Sequence, residues 1–370
     1  KVAEALSELA GSQEPLGEEA SQRLLMEIWK GRKEALAMEL SGEAEAKAYQ
    51  AAGQTLRVKE RVFGDAPKGG HSLWISMHGG GGAPAEVNDG QWENQIKLYE
   101  PAEGIYVAPR APSDTWNLWH QGHIDPLFDR MIAAYVTLRG VDPNRIYLMG
   151  YSAGGDGVYQ LAPRMADRFG AAAMMAGHPN ETKPDGLRNL PFALFMGGKD
   201  GAYDRNKIAA SWKDALAGLQ KADPGGYDHE VTIFPEMGHW MQREDRVALP
   251  WMASRSRRAW PDRVVWLQDD VAHDRFYWLG AEEADRNPRA RVEAAVEGQQ
   301  IDITSADVTR LTLFLHDRLI DLDKAITVRW NGEEVFNGEV QRTREAIEAS
   351  LDGRPDPALG ATALLVVDRP

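Results

Sequence analysis

Gly150-Tyr151-Ser152-Ala153-Gly154 holds a serine between two glycines, directly after the apolar run Ile146–Met149. A serine hydroxyl is a poor nucleophile until a base takes its proton. A serine at the end of a buried strand, with a helix starting at once, sits on a turn too tight for side chains on either flank. Gly150 and Gly154 supply that room, and Gly155 and Gly157 let the following helix approach the sheet. The base is expected after a later strand, and "VTIFPEMGHW" offers His239 there. The other histidines fit less well. His178 comes too early, His229 precedes its strand, His120 and His123 lie in the loop before a helix, and His273 and His316 lie in the last third. The imidazole needs a carboxylate to fix its tautomer. "PFALFMGGKDGAYD" provides Asp200 and Asp204. Asp200 is nearer the strand end and is preferred, while Asp204 is placed to cap a helix starting near Arg205. "WISMHGGGGA" follows an earlier strand. Its glycines leave backbone N–H groups at Gly79 or Gly80 free to face a developing oxyanion, with Ala153 N–H as second donor. A phosphate loop is the competing reading, but the G-x-x-x-x-G-K-[ST] lysine is missing.

A loop at 109–129, "PRAPSDTWNLWHQGHIDPLFD", carries Trp116, Trp119 and His120. Aromatic rings on such a loop make a platform for an aromatic acyl group or a sugar ring. Trp240, beside His239, walls the acyl pocket or anchors its loop. His120-x-x-His123-x-Asp125 lacks the helical i, i+4 pair of a metal site and has no second cluster, so no metal is expected. No organic cofactor is needed either.

These residues need a frame. The runs "HSLWISM", "GIYVAP", "RIYLMG", "AAAMMA", "PFALFM" and "EVTIFP" are continuous rather than alternating, as strands buried on both faces are. Helical stretches separate them, so the pattern predicts a doubly wound, mostly parallel α/β sheet over 55–250. Residues 1–54 read as an N-terminal helical extension, with Ser41 as a cap and Gly53 as a stop. From 251 a linker leads into short strands, with Asn331-Gly332 marking a type I′ hairpin. An antiparallel β-sandwich is expected there. Arg243, Arg246, Arg255, Arg257, Arg258 and Arg263 surround the linker. A solvated connector is the plain reading and a docking patch the alternative. The rings of Trp251, Trp260, Trp266, Phe276, Tyr277 and Trp278 near this boundary suggest a sandwich docked tightly on the catalytic part, unless they fill its own core.

The 370 residues carry a formal charge of −14, which repels nucleic acid and anionic membranes. No apolar run is long enough to span a bilayer. There is no cysteine, so neither disulfides nor thiolate chemistry enter. The first residue is Lys1. A removed signal peptide would account for that, as would a trimmed chain, and a secreted or periplasmic location is the expectation.

On "HGGGG", "VDPNRIYLMGYSAGGDG", "GGKD" and "GHW", residues 55–250 resemble an α/β-hydrolase. Within that superfamily the chain resembles secreted serine esterases, the polyhydroxybutyrate-depolymerase-like and feruloyl-esterase-like enzymes. The resemblance implies Ser152 as nucleophile, His239 as base, Asp200 as acid, and oxyanion donors at Gly79 or Gly80 and at Ala153. The expected activity is cleavage of carboxylic esters, small or polymer-linked, plant and polysaccharide esters among them. A serine peptidase and a catalytically silent binding protein are the alternatives.

Overall fold

The computed structural model describes residues 16–370, which divide into two compact units. One is Ala37–Arg258. The other comprises the described residues up to Leu36 together with Ala259–Pro370. The first fifteen residues of the expected N-terminal extension lie outside the described residues.

The 37–258 unit is built on eight strands: β1 (Ala48–Ala51), β2 (Gln54–Phe63), β3 (His71–Met77), β4 (Gly104–Arg110), β5 (Val141–Tyr151), β6 (Ala171–Met175), β7 (Phe192–Gly197) and β8 (His229–Phe234). Their order is β1-β2-β4-β3-β5-β6-β7-β8. Pairings from β4 to β8 are parallel, while β1–β2 and β2–β4 at one edge are antiparallel. Every residue of β4, β6 and β7 is buried, which is why those runs are apolar without alternation. The chain leaves β3 for β4 on one side, then returns to lay β5 on the other. Such a reversal opens a crevice at the carboxyl ends of the strands, and the loops after β3 and β5 border it.

The N-terminal helix α1 (Glu18–Ala46) runs unbroken through Ser41, whose hydroxyl bonds back to Met38 O instead of capping a second helix. The helix expected beyond residue 46 is replaced by β1. Ladder pairing with β2 and burial of Tyr49 outweigh the alanine-rich helical propensity there. Gly53, with Ala52, makes the left-handed turn between those strands.

In the other unit, β9 (Arg263–Leu267), β12 (Arg291–Glu297), β13 (Gln300–Thr304), β15 (Ile326–Trp330) and β16 (Glu333–Gly338) form one sheet. A second holds β10 (Arg275–Phe276), β11 (Leu279–Gly280), β14 (Arg310–Leu315) and β17 (Ala363–Asp368). The expectation of purely antiparallel pairing needs one correction: β13 and β15 are parallel. The chain crosses to the other sheet to make β14 before it returns. Asn331 and Gly332 turn the β15–β16 hairpin, both with positive φ. Trp266 stacks on Phe276 at 5.9 Å, and Trp278 donates its indole N–H to Pro261 O at 2.8 Å. These rings are buried, and no large apolar side chain between 259 and 370 is exposed.

Three of the six arginines near residue 250 are committed to partners. Arg257 is buried against Asn144 and Asp167 O, Arg255 pairs with Asp228, and Arg263 pairs with Glu293. No described helix is long and apolar enough to cross a membrane.

Candidate functional site

Ser152 stands between the last residue of β5 and the first of α4 (Ala153–Arg164), with φ 59° and ψ −122°. This is a sparsely populated region for a residue with a Cβ, and the packing around it enforces it. A Cβ on Gly150 would lie 2.2 Å from Gly154 O, and one on Gly154 would lie 2.1 Å from Met77 O. The turn therefore closes only with glycine at both positions. Ser152 N–H donates to Met175 O at 2.9 Å, which ties the turn to β6.

His239 reaches the serine from the loop after β8. Its Nε2 lies 2.9 Å from Ser152 Oγ, and its Nδ1 lies 2.7 Å from Asp200 Oδ2. The Asp200 carboxylate is buried and the imidazole is half-exposed. A carboxylate accepts only, so the proton sits on Nδ1 and leaves Nε2 to accept from Oγ. Asp204 is elsewhere: it is exposed, pairs with Lys207 at 2.7 Å, and makes no side-chain cap for α5 (Arg205–Ala222). Tyr151 fixes the histidine loop from below. Its hydroxyl donates to His239 O at 2.6 Å and accepts from Met241 N–H at 3.0 Å. Tyr99 hydrogen-bonds the buried Asp245 in the same loop, and burial pushes that carboxyl up to about 6. Neither tyrosine is marked by a spacing rule, although Tyr151 lies inside the serine motif.

The glycine loop after β3 is held by His78. Ala111 N–H donates to its Nε2 at 3.2 Å, so its proton is on Nδ1 and goes to Gly79 O at 2.6 Å. Burial drives this imidazole down to about 4, which keeps it neutral. With Gly79 C=O turned to His78, the N–H of Gly80 in the same trans peptide points the opposite way. Gly81 N–H is already bonded to Asn88 Oδ1 at 3.0 Å. Gly79 lies against the serine: a Cβ there would be 3.1 Å from Ser152 Cβ.

The tryptophan loop departs from expectation in two places. Trp119 is fully buried, donates its indole N–H to His78 O at 3.0 Å, and packs on Gly157. It supports the glycine loop and offers no platform. His120 is also buried; its carbonyl accepts from Arg164, which pairs at 2.6 Å with Asp125 of α3 (Ile124–Arg139). Long-range partners from α4 thus draw both residues inward. Trp116 is 63% exposed over the Gly81–Gly82 turn, and Trp240 is 51% exposed against the Tyr151 ring. A cavity of ≈ 640 Å³ opens beside Ser152 and His239. Its far wall is Gln91, Asn94, Lys97 and Leu98 of α2 (Ala85–Leu98), closed by Trp240 and Arg243. The α2 residues carry no motif, so only the fold reveals them.

Residues 107–270 match the dienelactone hydrolase family. No curated protein matches the sequence. Similar solved structures include a thermostable esterase at 19% identity, covering 57% of this chain and 62% of that one with a TM-score of 0.44. The chain thus spans less than two thirds of that esterase. A poly(3-hydroxybutyrate) depolymerase from Bordetella parapertussis is 17% identical over 56% of this chain and 86% of its own, with a TM-score of 0.41. A ferulic acid esterase is 16% identical over 54% and 98%, with a TM-score of 0.34. The match to the dienelactone hydrolase family covers less than half of the chain, and the unit that carries Ser152, Asp200 and His239 has the α/β-hydrolase fold.

Proposed function

We propose that this protein is a serine hydrolase of carboxylic esters. The observation that carries the reading is the hydrogen-bonded line Ser152–His239–Asp200 at 2.9 and 2.7 Å beside an open cavity. His239 Nε2 takes the Oγ proton as Oγ bonds to the ester carbon. Asp200 stabilises the imidazolium that forms. The carbonyl oxygen, now negative, is held by Ala153 N–H and by Gly80 N–H, which His78 orients; Gly79 N–H is the alternative donor. The carbon–alcohol bond then breaks as His239 returns the proton to the departing oxygen. Water, deprotonated by the same nitrogen, releases the acid and restores Ser152.

The cavity wall joins apolar surface from Leu98, Tyr151 and Trp240 to groups that can hold a polar substrate body. Gln91 and Asn94 both donate and accept, Lys97 and Arg243 add positive charge, and Trp240 offers a ring face. Esters linked to sugars or polysaccharides fit this chemistry. The test is labelling by a fluorophosphonate probe, followed by a panel of acyl esters and aminoacyl amides. Labelling of Ser152 with ester turnover supports the reading. A folded protein that is not labelled returns it to a binding role, and faster amide than ester cleavage makes it a peptidase.

The two exposed tryptophans give a separate expectation. Trp116→Ala and Trp240→Ala should each raise KM roughly two- to tenfold for bulky aromatic or sugar esters, the range one lost ring contact allows. Acetyl esters should change by less than about twofold. Equal effects on both classes, measured as kcat and KM, would make these rings supports of the loops rather than recognition elements.

A further inference from the structure

Behind Asp200, on the side away from His239, α5 begins with Arg205. The two residues before it, Tyr203 and Asp204, have φ of 54° and 56°. This paired left-handed turn bends the chain back on the strand end that carries Asp200, and Asn206 N–H bonds Asp200 O at 3.1 Å. Arg205 Nη1 consequently lies 3.6 Å from Asp200 Oδ1. The two carboxylate oxygens are divided: Oδ2 faces the imidazole and Oδ1 faces the guanidinium. The Tyr203 ring lies 4.9 Å from the guanidinium carbon. The arginine side chain is only 12% exposed, and its buried Nε meets no hydrogen-bond acceptor among the described residues. A buried guanidinium with an unmet donor destabilises a fold, so packing alone does not account for it.

A second carboxylate lies within the field of the same cation. Asp156, in the first turn of α4, accepts His178 N–H at 2.6 Å. Burial pushes it up to about 6, against the pull of that hydrogen bond and of the Arg205 charge. Burial and, less strongly, the same cation hold the His178 ring below its usual range. Other charges nearby are committed at the surface: Lys199 to Glu236 and Lys207 to Asp204. On the cavity side, Tyr151 lies edge-on to the His239 ring, Asp245 lies under the loop, and Arg243 borders the cavity.

We propose that Arg205 is a positioning residue for the Ser152–His239–Asp200 line: its guanidinium holds Asp200 with Oδ2 toward His239. This rests on the ester-hydrolase reading above. Loss of the cation lets the aspartate–histidine couple take up a proton more readily, so the acid limb of kcat/KM moves to higher pH.

The experiment is kcat, KM and the pH profile on one ester, per site titrated with a fluorophosphonate. Arg205→Gln is expected to lower kcat roughly ten- to a hundredfold, as a misplaced catalytic group does, with KM little changed. Its acid limb should rise by about half a unit to one unit. Arg205→Lys should keep the limb near its wild-type place and recover part of kcat. Arg205→Met, uncharged and of similar length, should lower kcat alike with KM little changed; it decides the matter should the glutamine variant not fold. A labelled, active wild type whose Arg205→Gln variant keeps both rate and limb overturns the role of Arg205. So does an unmoved limb with loss of thermal stability alone. A wild type neither labelled nor active overturns the ester-hydrolase reading and this inference with it.

Discussion

Ser152→Ala is expected to abolish ester turnover, by roughly 10³-fold or more in kcat, without unfolding the protein. The backbone argument supports an intact fold. Alanine carries the same Cβ into the same turn, so the strain at φ 59° is unchanged, and the Ser152 N–H bond to Met175 O does not involve the side chain. What disappears is the oxygen that bonds to carbon. His239→Ala should fall alike, because a serine without its base is nearly as inert as no serine. Steady-state kinetics on purified variants, with thermal melts beside them, give the answer. Turnover near the wild-type rate in either variant would remove the assignment of nucleophile or base.

The second large effect concerns the acid. Asp200→Asn should cost on the order of 10²–10⁴-fold in kcat. An asparagine amide can donate to Nδ1, which leaves the ring proton on Nε2, the nitrogen that must accept from Ser152. The change removes one negative charge but alters the shape of the site little, so KM should hold. Asp204→Asn is the control. That carboxylate is exposed and pairs with Lys207 within one helical turn, a contact worth little in water. Its kcat should stay within about twofold of wild type. The reverse ranking would move the acid to Asp204 and demand a rearranged loop after β7.

How much of this was legible beforehand differs by residue, for physical reasons. Ser152 is readable because a tight strand-to-helix turn demands glycines at fixed short spacing, a local rule. His239 and Asp200 follow from the alternation of strands and helices, since each lies just past an apolar run. Trp119 and His120 were misplaced because burial is a long-range property. The Gly157 contact and the Arg164 salt bridge that draw them inward come from a helix about forty residues further on. The wall offered by α2 is invisible for a related reason: polar residues on an exposed helical face look the same whether or not a cavity lies beside them. The strand at Ala48–Ala51 escaped notice because alanine favours a helix until a neighbouring ladder offers more. The parallel pair in the sandwich depends on which sheet an intervening strand joins, and sequence periodicity carries no record of that.

The conformation of Ser152 has a consequence for how such a chain can change over time. A non-glycine residue held at φ 59° stores roughly 1–3 kcal/mol that the rest of the fold must offset. Glycine would release that energy at the same position, and with it the hydroxyl. Stability and reactivity are thus opposed at a single codon. A lineage released from the need to hydrolyse anything is drawn toward glycine there by stability alone, and the glycines at 150 and 154 give it no compensating route back, because neither tolerates a Cβ. A serine in this turn is therefore held there against a local gain in stability.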